Sequence, residues 1–385
     1  MKRDCYSFVL LLLCFLPLVL TKAFVNINVA IPLVIGTFYL CYFISKKYKT
    51  AEVNLLWSII IAGLSFCSIS LLHNGILTIL YRDFFPCLIM GAAVILLGRI
   101  KQFNCWNDFE QVWKFLLKIV VVSSFISGLF FKLGLINLAV IQDVENYACA
   151  HYPFLGLINL SSERVAWYFA EPSYLGFFLG FNLIFAYNFF KNKGKGKIWL
   201  ILYVLSILFV GSSTGIFASI GALAFYLLYR NGILKSNVWK LLFLALIPFL
   251  ILYITTSPDL DVLLEYFGKM REQNSGLDRS KRLIYAVDTI SRMNSVDLMI
   301  GMGENYFLDS FGVGVANTYI RIVIEYGCIY LLTFILLTLT FLKHSTYEYF
   351  FFFIAINSTD IAMTPLSLFL IVMAYYYNKY KPNYV

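Results

Sequence analysis

Residues 191–230 read KNKGKGKIWLILYVLSILFVGSSTGIFASIGALAFYLLYR. A cluster of lysines ends at Lys197, an apolar run follows from Ile198 to Val210, five small residues make a turn, and a second apolar run closes on Arg230. No charge lies between Lys197 and Arg230. A helix needs roughly 20 mainly apolar residues to cross a hydrocarbon core about 30 Å thick, so the stretch reads as two membrane helices joined by a tight turn. The pattern recurs along the chain. Of its 385 residues, 61% are hydrophobic and 13% charged, against about half and about a quarter in a soluble domain. The expectation is a single all-α polytopic membrane domain spanning residues 1–385.

Spans are expected at about 6–21, 24–44, 53–72, 76–98, 113–133, 168–190, 198–211, 213–229, 240–256 and 317–342. Residues 345–378 read either as one long helix or as two short ones broken around Asn357 to Asp360 and Pro365, which gives about 11 to 12 spans. The run from Phe8 to Leu20 follows Lys2 and Arg3 as a secretory signal would, but no small-x-small cleavage site follows it, and it reads as a retained first helix. The 8 cysteines are scattered without a C-x-x-C pair, Cys149 has no obvious partner in its loop, and the 3 histidines form no cluster. Neither a zinc site nor a redox motif is suggested.

A net charge of +9 raises the possibility of nucleic acid. Placement of the cations answers it. From a cytoplasmic start, the inner connections collect Lys2 and Arg3, then Lys46, Lys47 and Lys49, then Arg99, Lys101 and Lys114, then Lys191 to Lys197, then Arg230, Lys235 and Lys240. The short outer turns near Lys22, His73 and Ser212 are nearly free of positive charge. This is the positive-inside pattern, and the partner it implies is the lipid bilayer rather than nucleic acid.

Two outer segments depart from the tight connections elsewhere: residues 134–165 and residues 255–316. Long polar segments of this kind are where function concentrates. The second holds Lys269, Arg271, Arg279, Lys281, Arg282 and Arg292, interleaved with acids from Asp259 to Asp309. Two readings stand at this point: a solvated loop with balanced charge, or an anion site in which guanidinium forks meet phosphate.

Four motifs bear on the choice. Glu163-Arg164 leads through Ala170 into Glu171-Pro172-Ser173 and Gly176. An acid entering a span is a functional candidate, and it could equally complement a helix dipole. The turn Gly211-Ser212-Ser213-Thr214-Gly215 permits close helix packing. Ser280-Lys281-Arg282-Leu283-Ile284-Tyr285 precedes Arg292 and Ile300-Gly301-Met302-Gly303. Asn317-Thr318-Tyr319 then opens a span carrying Arg321 and Glu325, which stand four apart on one face and could neutralise each other, followed by Tyr326-Gly327.

In this order the motifs resemble the O-antigen polymerase and ligase superfamily, with Wzy-type polymerases of polysaccharide repeat units the nearest in pattern, over roughly residues 160–330. The resemblance implies a membrane-embedded, inverting, metal-independent glycosyltransferase without a cofactor. Its substrate would be an undecaprenyl-diphosphate-linked oligosaccharide on the outer face of the plasma membrane. The product would be O-antigen, capsule or exopolysaccharide, and a chain-length regulator and a flippase of the same pathway would be partners. By position, Arg282 is similar to the family's loop arginine, Arg292 with Gly303 matches its Arg-x10-Gly pattern, and Arg164 looks like the first-loop arginine, with Gly176 one residue too far for the same spacing. Ligases carry a histidine where this chain has Ala316, so the polymerase reading stands ahead of the ligase reading.

The expected chemistry follows from these positions. Glu171, Arg282 and Arg292 are the catalytic candidates, and Arg164, Arg279, Asn317 and Arg321 the substrate-binding ones. The arginines would stabilise charge on the departing diphosphate, while Glu171 takes a proton from the attacking sugar hydroxyl. A flippase or transporter of the same lipid-linked sugars, and a scaffold within an export complex, are the competing classes. The chain shows no internal repeat of the kind common in transporters.

Overall fold

The computed structural model describes residues 106–133, 158–159, 164–165, 172–191, 196–232, 275–303, 306–312, 315, 317–356 and 365–380, with isolated positions between 59 and 101. The spans expected at 6–21, 24–44 and 240–256, most of those at 53–72 and 76–98, and most of both long outer segments before residue 275 lie outside the described residues.

Helix α1 runs from Trp106 to Lys132. Two short strands, β1 (Ile158–Asn159) and β2 (Arg164–Val165), pair antiparallel with Asn159 opposite Arg164. Helices α2 (Pro172–Phe181) and α3 (Leu183–Phe190) follow, then α4 (Gly196–Val210) and α5 (Ser213–Arg230). The second long segment contributes α6 (Ser275–Arg292), α7 (Ser295–Ile300) and α8 (Tyr306–Phe311). The chain then enters α9 (Thr318–Leu342) and closes with α10 (Thr346–Ala355) and α11 (Pro365–Tyr380). Of the two readings for residues 345–378, the two-helix form is therefore the one adopted.

Apolar side chains line the outside of this bundle as well as its core. The exposed side chains of α1 include Phe115, Ile119, Val122, Ile126 and Leu129, those of α4 include Ile198, Ile201, Val204 and Leu208, and those of α9 include Ile329, Leu332 and Leu336. Each set recurs every three or four residues, so each helix turns an apolar stripe outward. Buried within lie Ser124, Ser127, Asn182, Ser206, Ser219, Thr338, Ser345 and Glu348. Apolar stripes on this scale are a liability in water and the expected surface in lipid. Among the described residues, α1 through Phe130 and α9 are each long and apolar enough to cross a membrane, and α2 with α3 forms a third candidate bent by 48°. The chain is an α-helical membrane protein.

Without a hydrophobic force between helices in lipid, close packing and interhelical hydrogen bonds hold the bundle together. Helix α2 crosses α5 at two glycines: a Cβ on Gly215 would stand 2.7 Å from the carbonyl oxygen of Gly176, and one on Gly176 would stand 2.5 Å from Cβ of Ser212. The Gly-Ser-Ser-Thr-Gly turn thus has a packing role, with Ser212 capping α5 by accepting from Gly215 N at 3.3 Å. Tyr203 donates to the Leu179 carbonyl at 2.6 Å, Ser206 to that of Val121 at 3.0 Å, and Tyr347 to that of Gly180 at 2.9 Å. The bend between α2 and α3 falls on buried Asn182, whose Oδ1 accepts from Trp113 Nε1 at 2.9 Å.

The two ends of the bundle differ. At one end, Lys101 lies over Tyr380, Lys114 over Phe190, Lys118 over Trp199, and Lys379 over Tyr375. Ring contacts between Trp106 and Tyr377, and between Phe190 and Trp199, tie the start of α1, the end of α3, the start of α4 and the end of α11 together there. The opposite end gathers the start of α2, the Ser212 turn, and the start of α9, whose Thr318 amide donates to the Ile356 carbonyl at 3.0 Å. Cations over aromatic rings at one end are the arrangement of a membrane interface.

Gly215→Leu is expected to destabilise the detergent-solubilised protein by about 3 kcal/mol or more, because the added side chain meets backbone that cannot yield. Ile220→Ala, on the outward face of the same helix, should leave the thermal unfolding midpoint nearly unchanged.

Candidate functional site

The first half of α9 is the place where the sequence motifs of residues 280–327 converge. Asn317 begins the helix as its cap, its Oδ1 accepting from Ile320 N at 3.1 Å. One turn on, Arg321 Nε meets Glu325 Oε2 at 3.1 Å. The Glu325 side chain is only 4% exposed, so the pair is largely withdrawn from solvent. A charge placed in a span costs several kcal/mol unless it is matched, and these two match each other.

Helix α9 then breaks. Gly327 has φ +82 and ψ 174, which interrupts the helical ladder. In an unbroken helix the carbonyls of Ile324 and Glu325 would accept from amides four residues ahead. Here they also accept from outside: Met302 N donates to the Ile324 oxygen at 2.8 Å and Gly303 N to the Glu325 oxygen at 3.2 Å. The approach requires glycine on both sides. A Cβ on Gly327 would fall on the carbonyl of Met299, and one on Gly301, itself at φ +82, would fall on the backbone of Glu325 and Tyr326. Ile300-Gly301-Met302-Gly303 and Glu325-Tyr326-Gly327 are therefore two halves of one backbone junction.

Helix α6 packs beside it. Ala286 of α6, Phe307 of α8, Val315, and Ile324 of α9 form a small buried core, with Ile290, Tyr306 and Ile320 against it. Arg282 stands one turn before Ala286, on the side of α6 that meets α9, and is half-buried. Arg292, the last residue of α6, is different: its side chain is 77% exposed and its Nη2 lies 2.7 Å from Asp288 Oδ2.

The expected site residues thus separate. Asn317 and Arg321 lie in the first half of α9 and Arg282 on the helix packed beside it, whereas Arg292 faces outward with its own carboxylate. Arg164 sits in β2, which packs on α1 and α4. Arg279 lies in the early part of α6. Glu171 lies outside the described residues, directly before Pro172 at the start of α2. Among the described residues no group of histidines, cysteines and carboxylates could hold a metal ion.

One acid was missed. Glu348, 2% exposed in the first turn of α10, lies inside the aromatic run Thr346–Ala355, and a lone acid in such a run was the available signal. No protein-family model matches the chain, and neither a curated protein nor a solved structure matches it.

Arg321→Met is expected to destabilise by about 3 kcal/mol, since Glu325 would remain buried without its arginine, and the double variant with Glu325→Met should recover most of the loss. Gly327→Ala forces a left-handed conformation on alanine and pushes on Met299, at a strain of about 1–3 kcal/mol. Hydrogen exchange of the Met302 and Gly303 amides should accelerate about tenfold or more.

Proposed function

We propose that the chain is a polymerase that joins polyprenyl-diphosphate-linked oligosaccharide repeat units into O-antigen, capsular or exopolysaccharide chains on the outer face of the plasma membrane. One observation carries the reading: the helix that bears half-buried Arg282 packs on the broken helix that holds Arg321 and Glu325. Guanidinium groups at a helix break near the membrane boundary suit a diphosphate whose lipid tail must stay in the bilayer.

In this reading the chain is polytopic, with about 11 to 12 spans, the lysine-rich end cytoplasmic and the start of α9 facing outward. The concentration of cation and aromatic contacts at the opposite end of the bundle supports that orientation. Arg282, with Arg321 and Arg279, binds the diphosphate and stabilises the charge that develops as it leaves. Arg292 and Arg164 recruit substrate at the rim. Glu171, before α2, accepts the proton of the acceptor hydroxyl as that oxygen attacks the anomeric carbon from the opposite face. The chemistry calls for no metal, and a flippase and a chain-length regulator act before and beside it.

A transporter of the same lipid-linked sugars is the second reading, favoured by the interrupted helix α9 and the bent pair α2 and α3, since broken helices line the sites of many carriers. Cell-surface glycan separates the two. Loss of a polymerase leaves single repeat units on the surface, whereas loss of a transporter leaves them on the cytoplasmic side.

In cells whose long-chain glycan depends on this protein, Arg282→Ala and Glu171→Gln should each reduce polymer on a gel by about tenfold or more, as expected for loss of a charge-assisted hydrogen bond or of the base. Arg292→Ala should have a smaller effect. Full-length polymer in both of the first two variants, at normal protein levels, would sink the mechanism.

A further inference from the structure

The outer segment that sequence alone reads as a polar loop carries an apolar outer surface once folded. Val296 and Met299 of α7 are 62% and 56% exposed, and Leu298 is exposed beside them. Leu308 and Phe311 of α8 are exposed too, and Phe311 stacks on exposed Tyr285 of α6 with ring centroids 5.5 Å apart. A surface of this kind is unusual on a soluble loop and marks a contact with something apolar.

The junction with α9 says what that contact is. Met302 and Gly303 bond to the carbonyls of Ile324 and Glu325, and the Met299 carbonyl lies against Gly327. Gly327 is nine residues beyond Thr318, about 13 Å along the helix at 1.5 Å per residue. Helix α7 thus lies beside the shaft of a membrane-spanning helix and not past its end. Ile329, Leu332 and Leu336, the outward stripe of α9, begin two residues below the junction. The junction thus brings the exposed apolar side chains of α7 to the level of α9 just above that stripe.

We propose that α7 and α8 form an in-plane anchor, with α7 seated among the acyl chains of the leaflet on the side where α9 begins. The occupant of this face is bilayer lipid. The residues grade in the expected sense: on α7 Val296, Leu298 and Met299 are exposed while its one acid, Asp297, is partly withdrawn, whereas Asp309 is exposed between Leu308 and Phe311 on α8, which holds that helix at headgroup level. Arg292, exposed just before α7, then stands at the level of the lipid phosphates. The anchor stands on the membrane character of α9 and does not depend on the enzymatic reading.

The test uses the full chain in proteoliposomes that contain a phospholipid with a photoactivatable group midway along one acyl chain. After illumination, adducts are mapped by mass spectrometry. Adducts on residues 295–300 comparable to those on the outward stripe of α9 are expected, with far fewer on residues 285–292. A fluorescent amino acid introduced at Met299, compared with one at Arg292, gives an independent reading: quenching several-fold stronger by acyl-chain spin-labelled lipid than by aqueous iodide at Met299, and the reverse at Arg292. Absence of adducts on residues 295–300, or iodide quenching at Met299 as strong as at Arg292, overturns the anchor and assigns the face to water or to a protein partner.

Discussion

A peptide group inside hydrocarbon has no water to bond, so a helix can break there only if other groups of the protein take up what the break releases. At Gly327 that condition shapes everything nearby. The carbonyls of Ile324 and Glu325 stand at the interruption, and the amides of Met302 and Gly303 come to meet them. A long segment that looks dispensable in polarity is in this way a structural part of the membrane helix. The buried ion pair of Arg321 and Glu325 sits within the same half-helix, and the small core of Ala286, Phe307, Val315 and Ile324 holds α6 and α8 against it.

The rest of the bundle follows from the same scarcity of water. Polar side chains turn inward and donate to carbonyls of neighbouring helices, as Tyr203, Ser206 and Tyr347 do. Apolar ones fill the core and also line the outward faces. Glycines are spent where two backbones must approach, at Gly176 against Gly215 and at Gly301 against Gly327. The first crossing brings α2 onto α5 at the end where α9 also starts, so Pro172-Ser173, the Gly-Ser-Ser-Thr-Gly turn and the Asn-Thr-Tyr motif, far apart in sequence, share one side of the bundle. Lys101, Lys114, Lys118 and Lys379 share the other.

Hydrophobic length made the helices legible, and helical spacing made the pairing of Arg321 with Glu325 legible, because both are local properties. Two helices in residues 345–378 were one of two readings, and Pro365, which opens α11, was the marker. The break at Asn182 was not legible: an amide within an apolar run says nothing of the Trp113 nitrogen that holds it, 69 positions away. Likewise the glycines of Gly-Met-Gly and Tyr-Gly were visible separately, but their reciprocity is a tertiary fact. Nor does composition tell which arginines of a mixed-charge loop face a neighbouring helix and which face outward with an acid of their own.

That last distinction changes how one spacing is understood. Arg292 and Gly303 resemble a polymerase pattern in which an arginine precedes a glycine at a fixed interval, and the interval invites the idea of two groups on one ligand. The fold gives it another meaning. Between the two positions lie α7 and its flanking turns, and Gly303 is where the chain fastens to the Glu325 carbonyl. The interval measures the length of chain needed to leave α6, lay α7 along α9 and reach the break. Shortening it would pull the Met302 and Gly303 amides away from the carbonyls of Ile324 and Glu325, whatever Arg292 meets. The glycine is fixed by backbone geometry, the arginine by the surface it faces, and the two are joined because the first determines where the second can stand.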